Sequence, residues 1–273
     1  MRPDRTALAC LGLLAGVALF GLLAPAWAHW TGHAYHETFP RTGLDPAGQP
    51  VPPNAEFWLG TDDLGRDVLV RAAYGARVSL LVGFSATVLA TAAGVAVGLV
   101  SGFFGGLVDL LLARLLDVVL SFPYVLVAIA LATTLGAHLG TTIAVIGFFS
   151  FAAVARTVRG QTLSLREREF VLAARALGAG PWRLMTREIL PHLTAPVIIL
   201  ASLLLPAAIG FEATLSFLGA GVDPGTPSWG TMLGGAQEHY RSAWWLVLVP
   251  GGLLLATTVA CNLLGDALNR TGR

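Results

Sequence analysis

The chain contains no lysine: all seventeen of its basic residues are arginines, set against sixteen acids for a net charge of +1. Charged residues fill only 12% of its 273 positions, about half the share of a soluble protein. With so even a balance, and no basic stripe outside one loop, the sequence excludes nucleic acid as a partner. Cysteine is equally scarce. Cys10 and Cys261 both lie in apolar runs without metal-like spacing. Small buried hydrophobes are the expectation for them, and no disulfide framework, zinc site or redox motif is visible. The chain also lacks a glycine loop ending in Gly-Lys-Ser/Thr, so it carries no phosphate-binding motif of its own. Gly83-Phe84-Ser85 sits in an apolar run without the strand–turn–helix setting of a nucleophile elbow. No carboxylate pair or metal trio converges in the apolar stretches, so an enzyme is not indicated.

Hydrophobic residues, by contrast, make up 55% of the sequence. A membrane span needs about 20 mainly apolar residues. Runs of that kind cover about 7–28, 78–101, 115–137, 139–156, 192–218 and 243–264. The first could be read as a secretory signal because of Ala26-Trp27-Ala28. Its length favours an uncleaved anchor, and both readings place His29 outside. The expected fold is an all-α integral membrane protein of about six transmembrane helices. It divides into an anchor (1–28), an extracytoplasmic segment (29–77), a five-helix domain (78–266) and a short tail (267–273). Arginine asymmetry sets the orientation. Arg2, Arg5, Arg114, the 157–191 loop, Arg270 and Arg273 fall inside, whereas acids outnumber arginine in 29–77 and 219–242. Both termini are then cytoplasmic, in an inner or plasma membrane.

Several features inside the runs invite a closer reading. Gly94, Gly98, Gly102 and Gly106 recur every four residues and strip one helix face of side chains. Close helix packing is one reading and a pathway lining the other. Pro123 should kink or interrupt the third run. Arg114 and Asp117 are three apart and can pair near the inner boundary, either as a functional intramembrane pair or as an anchor. Glu212 stands 21 residues after Pro191, near the outer end of its span, where it faces a pathway or caps helix ends. His138 falls in a tight turn on the outer side. Trp229, Trp244 and Trp245 read as interface-belt residues.

In the first outer segment, Thr61 or Asp62 can cap a helix that leads into the second span, with Arg66 and Asp67 on its polar side. His29, His33 and His36 follow at spacings of four and three. They read either as a divalent-metal site or as ordinary interface residues. The second outer segment is rich in Gly and Pro, and a re-entrant or lid-like loop is expected there.

Seven arginines, Arg156, Arg159, Arg166, Arg168, Arg175, Arg183 and Arg187, gather in one loop, whose core reads REREFVLAARALGAGPWRLMTREILP over 166–191. A short helix is expected from Glu169 to Leu177, with Phe170, Ala173, Ala174 and Leu177 as its apolar face. Gly178 and Gly180-Pro181 end it, and a second helix starts at Pro181. An ordered amphipathic helix on a cytoplasmic loop reads as a docking surface.

This loop resembles the one shared by membrane subunits of bacterial ABC importers: EAA, three residues, G, nine residues, I-x-L-P. Ala173, Ala174, Gly178, Leu190 and Pro191 match it; Leu172 and Glu188 depart from it. GTDDLGRDVLVRAAYGARVSLLVG (60–83), the 166–179 stretch and LSFLGAGVDPGTPSWGTML (215–233) are similar to the dipeptide/oligopeptide/nickel permease group, specifically the second of its paired permeases. The resemblance implies a subunit that forms a pathway with a second homologous permease, takes di- or oligopeptides from an extracytoplasmic solute-binding protein, and docks on two ATPase subunits. Nickel or a metal chelate is the alternative cargo, and an ATP-independent carrier or channel the alternative of another class, although neither an internal repeat nor a line of embedded ionisable groups marks one. It implies no cofactor bound by this chain, with ATP and Mg used by the partners. Coupling would fall to Arg168, Glu169, Ala173, Ala174, Arg175, Gly178 and Pro191, and a pathway or outer gate to Glu212 and Trp229.

Overall fold

The computed structural model describes residues 5–223 and 225–271. Arg2, Arg273 and Pro224 lie outside the described residues, as do the side chains of Arg5 and Arg270. The helices are α1 (Arg5–Leu22), α2 (Ala24–Thr31), α3 (Val68–Phe104), α4 (Gly106–Ser121), α5 (Tyr124–Leu135), α6 (Leu139–Leu165), α7 (Glu169–Ala176), α8 (Pro181–Arg183), α9 (Leu190–Phe217), α10 (Trp229–Gly235) and α11 (Trp245–Thr271), with a π-helical turn over Leu184–Ile189. Among the described residues four helices are long and apolar enough to cross a bilayer, and up to six crossings result if the bent pairs α1–α2 and α4–α5 each count as one. The protein is an all-α, multi-span membrane bundle.

The bend between α4 and α5 is 83° and falls on Phe122-Pro123. Proline has no N–H for the helix ladder, and its ring disfavours helical backbone in the residue before it, so the run breaks there.

Packing of α3 on α6 is governed by the glycine stripe. A Cβ on Gly94 would lie 2.6 Å from Val154 Cβ, on Gly98 2.5 Å from the Ala155 carbonyl, and on Gly102 2.7 Å from Thr162 Cβ. With Val158 Cβ also 2.8 Å from a Cβ on Gly98, the contact steps by four through Val154, Val158 and Thr162 as it does on α3, so α3 and α6 run parallel with their backbones nearly touching. Gly106 does not continue the stripe. It follows Gly105, both have positive φ (66° and 54°), and together they turn the chain out of α3 into α4.

Helix α9 runs against α3: Gly83 packs on Ile209, and Leu99 and Phe103 share a cluster with Leu193. Helix α11 runs against α9, since Leu254 packs with Ile209, and Gly265 lies against Ser202 and Leu203. Cys10 and Cys261, on α1 and α11, are both buried.

Residues 32–67 lie against one end of the bundle, with Phe57 fully buried against His33 and Phe39. The cap of α3 is Asp67, not Thr61 or Asp62: its Oδ1 accepts from the Leu69 and Val70 amides at 2.8 and 3.4 Å. Thr61 and Asp62 are spent on the turn before it. The Thr61 hydroxyl donates to the Gly43 carbonyl, while Asp62 accepts from the Leu64 and Arg66 amides and the Arg66 guanidinium. The other Asp67 oxygen meets His33 Nδ1 at 2.7 Å, and the His33 ring stacks on Phe57. Asp67→Ala removes the cap and strands a buried imidazole. We expect a loss of about 1–2 kcal/mol from the cap alone, with faster proteolysis within 32–67 than in the parent as the check.

Candidate coupling surface and the buried carboxylate

At the end of the bundle opposite residues 32–67, α6 runs into the arginine-rich loop. Arg159 grips Asp109 through both carboxylate oxygens at 2.5 and 2.7 Å, and the Ser101 hydroxyl donates to the same carboxylate at 2.6 Å. Arg166 donates to the Gly102 carbonyl at 3.0 Å, meeting one of the unpaired carbonyls that end α3. These contacts tie α3, α4 and α6 together below the loop.

Helix α7 stands on this base through Val171, which is fully buried in a cluster with Leu99, Phe103, Val154, Val158, Leu184 and Ile189. Gly178 ends it in the left-handed region (φ 85°). Its amide donates to the Arg175 carbonyl and that of Ala179 to the Ala174 carbonyl, both at 3.0 Å, a Schellman closure. Gly180-Pro181 then starts the next helix, with proline at its first turn, where the missing N–H costs nothing. Within it the π-helical turn absorbs one residue ahead of Pro191, which has no N–H to offer the ladder.

The outward side of α7 is apolar at its centre. Leu177 is 89% exposed and Trp182 75%, with Leu172 and Phe170 beside them; Phe170 stacks on His192. Arg168, Glu169, Ala173, Arg175, Gly178 and Pro191 are exposed with them. Ala174 is the exception among the sequence-predicted residues. It is half-buried against the Val171 cluster, because i and i+3 share a helix face. Trp182 escaped the sequence reading, and Leu172 entered it only as a departure from the loop pattern; bulky apolar residues on an arginine-rich loop were the available signal.

Glu212 and Trp229 come together at the other end, inside the subunit rather than on an open face. Glu212 is fully buried and accepts from the Ser79 hydroxyl on α3 and the Ser216 hydroxyl on α9, both at 2.7 Å. Ser79 Oγ in turn accepts from the Trp229 amide at 3.2 Å, so one carboxylate fastens α3, α9 and the start of α10. Trp229 and Trp245 are buried and are not belt residues, whereas Trp244 is exposed. Trp245 Nε1 donates to the Thr61 carbonyl at 3.0 Å, fixing residues 32–67 to α11. Nearby, burial and the Asp62 carboxylate raise Asp63 above the usual carboxylate range. Among the described residues no three His, Cys, Asp or Glu side chains converge to hold a metal, and His33 is turned into Asp67. His138 caps α6, accepting from the Thr141 amide at 3.2 Å.

Glu212→Ala leaves two buried hydroxyls without an acceptor, at about 1–3 kcal/mol each. Glu212→Gln keeps one acceptor and adds a donor. We expect a clear drop in the unfolding temperature of the detergent-solubilised protein for the alanine variant and a smaller one for the glutamine.

Residues 94–271, well over half of the chain, match the family model described as "Binding-protein-dependent transport system inner membrane component". The chain is 37% identical over 268 residues to the dipeptide transport system permease protein DppC of Alkalihalophilus pseudofirmus, covering 98% of this chain and 85% of the relative. It is 43% identical to the di/tripeptide transport system permease protein DppC of Pseudomonas aeruginosa over 78% of this chain and 71% of that one. To the oligopeptide transport system permease protein OppC of Escherichia coli K12 it is 40% identical over 97% and 85%. Among solved structures, the inward-facing MetNI methionine ABC transporter overlays with a TM-score of 0.60 at 19% identity, covering 74% of this chain and 96% of the other, a likeness of fold. The chain therefore belongs to the binding-protein-dependent transport system inner membrane components, as a non-catalytic permease subunit of the dipeptide/oligopeptide/nickel group of bacterial ABC importers.

Proposed function

We propose that this permease crosses the membrane six times with both termini cytoplasmic, and that α7 is its coupling helix, docked in a groove of an ATP-hydrolysing subunit. With a second permease it forms the pathway for di- or oligopeptides handed over by an extracytoplasmic solute-binding protein. The peptide class follows from the names of its relatives. The orientation rests on the arginine asymmetry, and the directions of the helices agree with it: α3, α6 and α11 run one way and α9 the other.

The observation that carries the coupling role is the two-sidedness of α7. One side is locked into the bundle by Val171; Phe170 and Leu172 are exposed on the helix itself, Leu177 just past its last turn and Trp182 on α8. Exposed aromatic and aliphatic side chains on and just beyond a short helix fit helix-in-groove recognition. The arginines around it complement an acidic rim. Because Val171 touches the cluster joining α3, α6 and α9, a push on α7 moves those helices together rather than bending the loop. The π-helical turn supplies a compliant joint. ATP and Mg chemistry stays in the partner.

Affinity purification of the tagged chain in mild detergent, followed by mass spectrometry, tests this reading. A second permease and an ATPase should accompany it. A homo-oligomer free of ATPase in several detergents would instead favour a carrier or channel.

A further inference from the structure

Two features on the same side of the isolated subunit are at odds with lipid. The first is the break between α4 and α5. Leu116 and Val119, just before it, share a cluster with Ala90, in the middle of the 78–101 run; Ala128, just after it, packs with Val82 and Ala86. The break therefore lies near the bilayer midplane, yet Ser121, Phe122 and Pro123 are all exposed. Non-helical backbone at that depth survives only against protein or water.

The second feature is ionic. Arg114, Asp117 and Ser121 stand at i, i+3 and i+7, one stripe of α4 leading to the break. Asp117 meets Arg156 of α6 at 2.5 Å and Arg114 at 3.5 Å, and all three side chains are at least half exposed. Two cations share one anion, leaving a surplus positive charge. Unlike the Arg159–Asp109 pair one turn away, this cluster is open on the outside of the subunit. The stripe leads from Arg114 near the inner boundary to Ser121 at the break, and ionisable groups within membrane helices face a bundle interior or water.

We infer that this stripe lines the water-filled pathway of the assembled importer, and that Arg156 and Arg114 offer their surplus positive charge to an anionic group of the passing solute, such as the carboxylate that ends a peptide. The inference rests on the permease reading above and adds which face of the subunit the solute meets. Discontinuous helices at mid-membrane are where transporters commonly hold substrates.

The test uses the complex co-purified with its ATPase, with Cys10 and Cys261 replaced by alanine. Ser121→Cys is treated with a membrane-impermeant sulfonate thiol reagent and with its quaternary-ammonium counterpart; Leu19→Cys, an exposed apolar position on α1, is the control. Ser121→Cys should react about tenfold faster with the sulfonate than Leu19→Cys does, and should prefer the sulfonate to the ammonium reagent. Adding Arg156→Gln should abolish that preference. Phe122→Cys replaces Ser121→Cys should the latter not assemble. Modification no faster than at Leu19→Cys, or a preference unmoved by Arg156→Gln, overturns the inference. The two readings fail separately: a complex that keeps its ATPase but leaves Ser121→Cys unmodified sinks this inference alone, and a chain that never co-purifies with an ATPase sinks the coupling role instead.

Discussion

Gly178→Pro is expected to abolish ATP-driven uptake while the chain still inserts in the membrane. At this position φ is 85°, a region proline cannot enter, and the amide that proline lacks donates to the Arg175 carbonyl. The closure of α7 fails and Leu177 leaves its place, but the core under Val171 is untouched. Gly178→Ala is the graded control. Nothing lies within 4 Å of the added Cβ, so only backbone strain of about 1–2 kcal/mol remains. Truncating the apolar pair reads the same surface without disturbing the backbone. Buried aromatic and aliphatic anchors commonly cost about 2–4 kcal/mol each when cut to alanine, so Leu177→Ala with Trp182→Ala should weaken docking by about a thousandfold or more. The check is ATPase recovery and peptide uptake for the three variants side by side. Ala174 is a poor choice here, since a charge at that half-buried position damages the core as well.

Gly98→Leu should be the most damaging single change in the bundle. Even a methyl there would sit 2.5 Å from the Ala155 carbonyl and 2.8 Å from Val158 Cβ, and its neighbour at 2.9 Å is the Arg159 amide. Two of these three are backbone, so relief requires α3 and α6 to separate. Overpacking of a tight core costs about 1–3 kcal/mol per intruding group, and a leucine adds several. We expect little folded protein in the membrane and, for Gly98→Ala, a lowered unfolding temperature. Gly12→Leu, with nothing within 4 Å in α1, should be silent. Similar behaviour of the two leucine variants would contradict the tight α3–α6 contact.

Much of this was legible in the sequence because it is local. Apolar length marked the four helices long enough to cross a bilayer, Pro123 marked the break, and the spacing of Gly94, Gly98 and Gly102 marked a close-packed face. Gly106 was misread because four-residue spacing says nothing about where a helix ends; two consecutive glycines of positive φ end it first. The long-range pairings were invisible. His33 and Asp67 are 34 residues apart, and Ser79 and Glu212 are 133. No spacing rule links them. Trp229 and Trp245 were assigned to the membrane interface by type and neighbourhood, yet the Trp229 amide donates to the Ser79 hydroxyl of α3 and the Trp245 indole to the Thr61 carbonyl, and both rings lie inside. The α7 surface was half legible: the amphipathic loop and its glycine stop could be read, but not which of Ala173 and Ala174 faces the core.

The most direct test of the coupling role is photocrosslinking in native membranes, with a benzophenone amino acid at Leu177 and, as control, at Leu19. The account predicts an adduct between position 177 and the ATP-hydrolysing subunit, and none from position 19. An adduct from position 177 only to lipid or to a second permease, with the ATPase present in the membrane, would contradict it.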